Sequence, residues 1–404
     1  MPEPNNIDAV PIMEEKVVVE WATSRGVFID GIAPRPLSHR GGFGIVATQP
    51  IKTSQTVLKV PTVLFRTLDN TPAWISARLQ GATVHAILAA WLCLEAVDDV
   101  WRAVLPPRED VVASMPLCWC DRLSRLLPSS TEALVRVQRR KFDHDWARVS
   151  KAFNDGVEKK GMVVKKEISR ADFLYAWILV NSRTFYHTTA NTETRLAKED
   201  HMALVPVADL FNHSPDEEQS CSVTFDTQGY TFVASRSYAP GEEVLICYGK
   251  HSNDTLLVEY GFTLGEGGAE GPNPYEETCL DAYLCPLLSP AQSLRLEESG
   301  FWKRYMLDAE TPCYRTVTAL RICCLPSHHW PDVLDGSRDE DWDRPVVDAR
   351  LRPLLIKYET DIRRRLILID DLDGEVHAQQ KASLRSRCIA AQNILLANIA
   401  RIQS

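Results

Sequence analysis

The sequence has no long hydrophobic run, no basic-then-apolar leader and no metal-ligand motif, and each absence removes a class of answer. Its best apolar stretch, Val84 to Val97, contains His85 and Glu95 and is too short to span a bilayer. The amino terminus MPEPNNIDAVPIMEE is acidic and proline-containing where an export signal would be basic and then apolar, so neither export nor membrane insertion is expected. Neither HExxH nor paired CxxC occurs, and His328-His329 and Cys323-Cys324 stand isolated, so no zinc or other metal site is expected. Positive charge is short as well. Lys+Arg number 45 against Asp+Glu 54, a formal net charge of -9, which disfavours nucleic acid and anionic membrane and suits a basic partner better. Internal repeats and low-complexity tracts are absent too.

What is present is an ordinary globular balance: 404 residues, 45% hydrophobic and 25% charged, enough for two or three compact units. The 11 cysteines are odd in number and scattered, some inside apolar runs such as Val244 to Cys247, which reads as reduced thiols in the cytoplasm or nucleus. Gly26 to Leu68 has β texture and predicts two or three antiparallel strands. Between Pro72 and Arg183 the period is helical, for about three main helices. Val84, Ile87, Leu88, Trp91 and Leu92 mark one helix, closed by Pro106-Pro107, while Ser129-x-x-Glu132 and Ser169-x-x-Asp172 have capping-box spacing. A second β region, Ala203 to Tyr248, predicts strands at VTFD, YTFVAS and EEVLICY, with turns at Gln228-Gly229 and Pro240-Gly241. After Gly265 a Gly/Pro/acidic linker leads into helices to the end. Ser289-Pro290 starts one of them and Gly300 stops it; runs 346–370 and 376–402 are separated by Asp373-Gly374.

Four short constellations could carry chemistry. Gly42-x-Gly44-x-x-Ala47 matches a dinucleotide fingerprint by letter, but the following IVATQPIK reads as a strand rather than the helix that fingerprint needs. What remains is a loop that lets a ligand lie against backbone, or a plain glycine hairpin. Asp209-Leu-Phe-Asn212-His213-Ser214 ends an apolar run, and its polar groups either cap a turn or face a polar ligand. Gly241-Glu-Glu-Val-Leu-Ile-Cys-Tyr248 is followed by Glu259-Tyr260-Gly261-Phe262; a strand-end tyrosine can equally bury its ring and bond outward. Asn181-Ser-Arg183-Thr-Phe185-Tyr186 ends an apolar helix with a cation, which could serve only the helix dipole.

In their order along the chain these pieces resemble the SET domain of protein lysine methyltransferases. Within that group the chain is similar to the branch of the Rubisco large-subunit methyltransferase and the fungal ribosomal-protein lysine methyltransferases. The resemblance implies an α+β fold: a β-rich SET domain over 26–262 with a knot-like threaded active site, split by a helical insertion at about 70–182, then an all-α substrate-binding domain over 270–404. It implies S-adenosyl-L-methionine as cofactor and methyl transfer to the ε-amine of lysine in a protein substrate, a non-histone protein being favoured. Gly42, Phe43, Gly44, Arg183, Asn212, His213 and Tyr248 would bind the cofactor. Tyr248 would be the catalytic tyrosine, and Asp209 and Tyr260 would wall the lysine channel. The protein would act as a monomer, without nucleic acid or membrane.

The chain departs from the family at Gly41, where relatives in this branch often carry an acidic residue, and in the six residues between Ser214 and Cys221. No CxC follows Tyr260, and Cys118-Trp-Cys120 lies upstream, so the family's zinc-binding module is not expected. Two alternatives stay open: a non-catalytic SET scaffold that binds partners, and a histidine-directed methyltransferase.

Overall fold

The computed structural model describes residues 12–37, 42–95, 99–154, 167–265, 271–372 and 378–402. Gly41, the middle of the linker after Gly265 and the Asp373-Gly374 turn lie outside them. The chain forms two compact units, one of residues 1–111 and 140–249, the other of 112–139 and 250–404.

The first unit holds most of the β structure; the second has one antiparallel pair, Thr278–Cys279 with Met306–Leu307, so the region over 270–404 is mainly helical and not all-α as expected. Strand Ile32–Leu37 pairs antiparallel with Gly42–Ala47, with Arg35 opposite Gly44. A four-stranded antiparallel sheet runs in the order Phe28–Ile29, Thr56–Pro61, Gly229–Val233, Ser222–Phe225. Thr184–Tyr186 pairs with Met202–Leu204. The EEVLICY segment departs from the expected strand. It makes isolated bridges on two sides instead of one ladder: Val244 N–H donates to the Ile45 carbonyl (2.7 Å), and Ile246 N–H to that of Asn212 (3.0 Å). Its own Ile246 carbonyl accepts from Ser214 N–H (2.9 Å), and that of Leu245 from Cys221 N–H (2.7 Å). The segment is thereby threaded between the glycine hairpin and the Asn212–Cys221 loop. Its apolar residues Val244 and Ile246 are buried, so the sequence pattern of a core strand was real while the ladder was not.

The helices of this unit obey their caps. Thr83 accepts from Ala86 N–H at the start of Val84–Leu94, and Ser169 accepts from Asp172 N–H at the start of Arg170–Arg183. The first of these ends at Leu94, short of the expected Pro106-Pro107, and a separate turn of helix, Asp99–Val104, precedes the prolines. Ser129, which belongs to the second unit, is the first residue of helix Ser129–Phe153 rather than its cap, and its buried hydroxyl finds no partner among the described residues, so no capping box forms there.

The second unit is helical around one core, with Leu320, Leu351, Leu355, Leu384 and Cys388 at its centre. The Ser289–Gln292 capping box forms, and Gly300 (φ +75) follows the last turn of Pro290–Glu298. The long helix starts at Glu340, six residues before the expected run, because Asp339 caps it and Glu340, Asp341 and Asp343 favour its amino-terminal dipole. Asn253–Thr255 continues as a π-helical turn, Leu256–Tyr260, ended by Gly261 at φ +83. A side chain at Gly261 would meet Ser114 Oγ at 2.7 Å and Met115 Sδ at 2.9 Å, so both conformation and space demand glycine. No helix among the described residues is long and apolar enough to cross a membrane.

Candidate active site

The threading in the first unit draws together residues almost 200 positions apart, such as Ile45 and Val244. Asn212 is the hinge. Its side-chain amide donates to Glu243 Oε1 (2.8 Å) and reaches the Phe43 carbonyl (3.4 Å), so it ties the glycine hairpin to the threaded segment. Gly44 lies directly beneath. A Cβ there would sit 2.4 Å from Leu37 Cδ1, 2.8 Å from Asn212 Nδ2 and 2.9 Å from Glu243 Oε1. At Gly42 a Cβ would meet nothing within 4 Å among the described residues, so the backbone there faces open space.

His213 is 2% exposed and its Nδ1 accepts the main-chain N–H of Tyr248 (3.1 Å), which fixes the proton on Nε2 when the ring is neutral. The Tyr248 hydroxyl donates to the Phe211 carbonyl (2.6 Å), and its ring lies 5.1 Å from that of His213. The phenol is thus held at both ends by the loop it passes. Phe211 stacks on Phe232 (5.1 Å, 4° between planes), which carries that carbonyl on the sheet.

Arg183 does more than end its helix. Its Nη1 donates to the main-chain carbonyl of Asp209 (2.5 Å), 26 positions away. The Asp209 carboxylate accepts from Trp101 Nε1 (3.0 Å) and is almost fully buried. Burial pushes it up to about 6 against the pull of Arg183 and the indole. The cluster therefore combines an open stretch of backbone, a guanidinium, a buried imidazole, a positioned phenol and a carboxyl near its titration range.

Of the residues expected at a site, Phe43, Gly44, Asn212, His213 and Tyr248 meet directly or through one partner, and Arg183 and Asp209 meet each other. Tyr260 belongs to the second unit, where its ring faces His251 (6.0 Å) and Phe262 (6.3 Å). Glu243 and Trp101 were not foreseen. The doubled Glu242-Glu243 before an apolar run was a signal for the first; Trp101 sits among apolar helical residues with nothing to mark it.

The family model for the SET domain matches residues 42–249, slightly over half of the chain, and the chain belongs to that family. It is 30% identical over 354 residues to the ribosomal lysine N-methyltransferase set11 of Schizosaccharomyces pombe, covering 83% of this chain and 85% of that one. It is 28% identical over 334 residues to human SET domain-containing protein 4, covering 78% and 74%. Among solved structures, that of Rubisco LSMT bound to AdoMet superposes with a TM-score of 0.68 at 17% identity, over 96% of this chain and 91% of that one.

Proposed function

We propose that this protein is an S-adenosyl-L-methionine-dependent protein-lysine N-methyltransferase. The observation that carries the reading is the threaded segment that delivers Tyr248 beneath the Phe211 carbonyl, beside the Asn212-His213 turn. Membership of the SET family and the likeness to a ribosomal lysine methyltransferase supply the reaction class.

The cofactor, when bound, supplies an electrophilic methyl group on a sulfonium. The residues present suit it. The chain at Gly42 is uncovered, the half-buried Phe43 continues that surface, Gly44 lets the hairpin pack closely beneath it against Asn212 and Glu243, and Arg183 brings a planar guanidinium matched to a carboxylate. Asn212 and His213 shape the turn that would hold its polar groups. Tyr248 orients the incoming amine. Its hydroxyl, already engaged by a carbonyl, can align a nitrogen lone pair without acting as a nucleophile. Lysine must arrive neutral although its reference pKa is about 10.4, and a desolvated channel favours losing that proton. Asp209 would line the channel. Tyr260 keeps the channel role that its motif gives it, and the helical region over 270–404 that of docking the substrate. A basic, non-histone protein in the cytoplasm or nucleus suits the -9 net charge and the eleven free thiols.

Incubation with labelled S-adenosylmethionine and extract from cells lacking the protein should label a protein band, and Tyr248→Phe should reduce labelling by about 100-fold or more. Cofactor binding without any labelled band would favour a non-catalytic scaffold, and a methyl group found on imidazole nitrogen would move the target from lysine to histidine.

A further inference from the structure

The helical insertion reaches the site through the Trp101 side chain. Trp101, on Asp99–Val104, is buried, and its Nε1 bonds Asp209 Oδ2 across 108 positions of sequence. Asp209 itself is 5% exposed, and among the described residues no side-chain donor meets its Oδ1. One residue thus receives the indole on its side chain and Arg183 on its main chain. It sits in a single helical turn, Ala208–Leu210, entered through Val207 at φ +71, a costly conformation for a β-branched residue. That turn leads straight into Asn212-His213. So short a turn, entered through strained backbone, needs an outside clamp, and the indole is placed to be one. The Arg66 guanidinium lies over Trp101 (5.7 Å) and Trp91 (4.7 Å) and packs against the clamp.

We infer that Trp101 is a positioning residue for the methyl-transfer site, its indole N–H fixing Asp209 and, through Asp209, both Arg183 and the Asn212-His213 turn. The inference rests on the methyl-transfer reading above. Arg183 is the charged side chain that pulls the Asp209 carboxyl down, helped by Trp101 and the main-chain N–H groups of Asp209 and Val207, against the burial that raises it. An indole N–H bonds a carboxylate more strongly than a carboxylic acid, so the clamp loosens as pH falls through the titration of Asp209.

The test is calorimetric titration of the full chain with S-adenosylhomocysteine. At about pH 7.5, Trp101→Phe should weaken binding about tenfold, the loss of one hydrogen bond to a charged group. Trp91→Phe, which still offers Arg66 an aromatic face, should stay within about twofold of the wild type. Wild-type affinity should fall several-fold toward about pH 5.5, and that of Trp101→Phe should not. Trp101 emission, taken as wild type minus Trp101→Phe, should titrate with Asp209 and lose that transition in Asp209→Asn. Equal affinity of the wild type and Trp101→Phe overturns the inference. If Trp101→Phe does not fold, a flat wild-type affinity profile overturns it instead. A wild-type chain that binds no S-adenosylhomocysteine overturns the methyl-transfer reading itself, and the clamp falls with it.

Discussion

Each unit of the protein buries aspartates, and two of them, Asp254 and Asp209, one from each unit, are treated in opposite ways. Asp254, in the second unit, is 4% exposed, and burial alone would raise its pKa. The fully buried Arg387 reverses that: its Nε lies 2.6 Å from Asp254 Oδ1, the Thr131 hydroxyl also donates there, and the carboxyl is held below its ordinary value. Asp209, equally buried in the first unit, has one side-chain bond, from the indole, no side-chain donor at its Oδ1 among the described residues, and a raised pKa. Full pairing marks a carboxylate that holds a core together. Partial pairing beside an open backbone marks one kept for positioning or chemistry, where stability is given up for function.

The comparison breaks most readily at Arg387. Replacing it by methionine leaves Asp254 buried without its ion partner and should cost about 3–5 kcal/mol, read from urea unfolding followed by a probe in the second unit. A loss below about 1 kcal/mol would show that the pair is incidental. Asp209→Asn should act in the opposite sense. Because the native state favours the neutral acid, the stabilising contribution is complete below 3.8, the ordinary value, and is lost as pH rises through about 6. By about pH 8 the native state carries the whole cost of an ionised buried carboxylate. The asparagine chain should then be more stable than wild type by up to about 3 kcal/mol, the difference vanishing toward about pH 4. Stability curves that run parallel across that range would place Asp209 with Asp254 as a purely structural group.

The same contrast accounts for what could be read from the sequence. Asn212, His213 and Tyr248 stood out as polar groups beside apolar runs that must find partners, but on their own they fitted a plain turn and an outward-bonding phenol equally well, and only the order of the motifs, in which they resemble the SET family, pointed to a site. Arg183 was legible as a cation at a helix end, though its main-chain partner was not: a carbonyl 26 residues away has no sequence signature. The threaded segment misled for a physical reason. Alternating burial is the same whether a strand joins a ladder or passes between two loops, and only its scattered bridges tell them apart. Pro345, five residues into the long helix, hid its true start, although the acidic residues before it were the better signal. The Asp254–Arg387 pair, 133 positions apart, lay beyond any local pattern.

The smallest expected effect sharpens the comparison within the site region itself, where filled and open space lie two residues apart. Gly44→Ala drives a methyl group against Leu37, Asn212 and Glu243, and should cost about 1–3 kcal/mol because three neighbours must shift together. Gly42→Ala meets no neighbour and needs no left-handed backbone, so the fold should keep its stability to within about 0.5 kcal/mol. If the uncovered backbone at Gly42 is where the cofactor lies, the same silent substitution should still weaken S-adenosylhomocysteine binding by several-fold, since the new methyl occupies the space the ligand needs. Thermal unfolding and calorimetry on one pair of variants separate the two roles. A Gly42→Ala chain that keeps both its stability and its affinity would remove Gly42 from the site and leave Gly44, with its demand for close packing, as the reason the hairpin is glycine-rich.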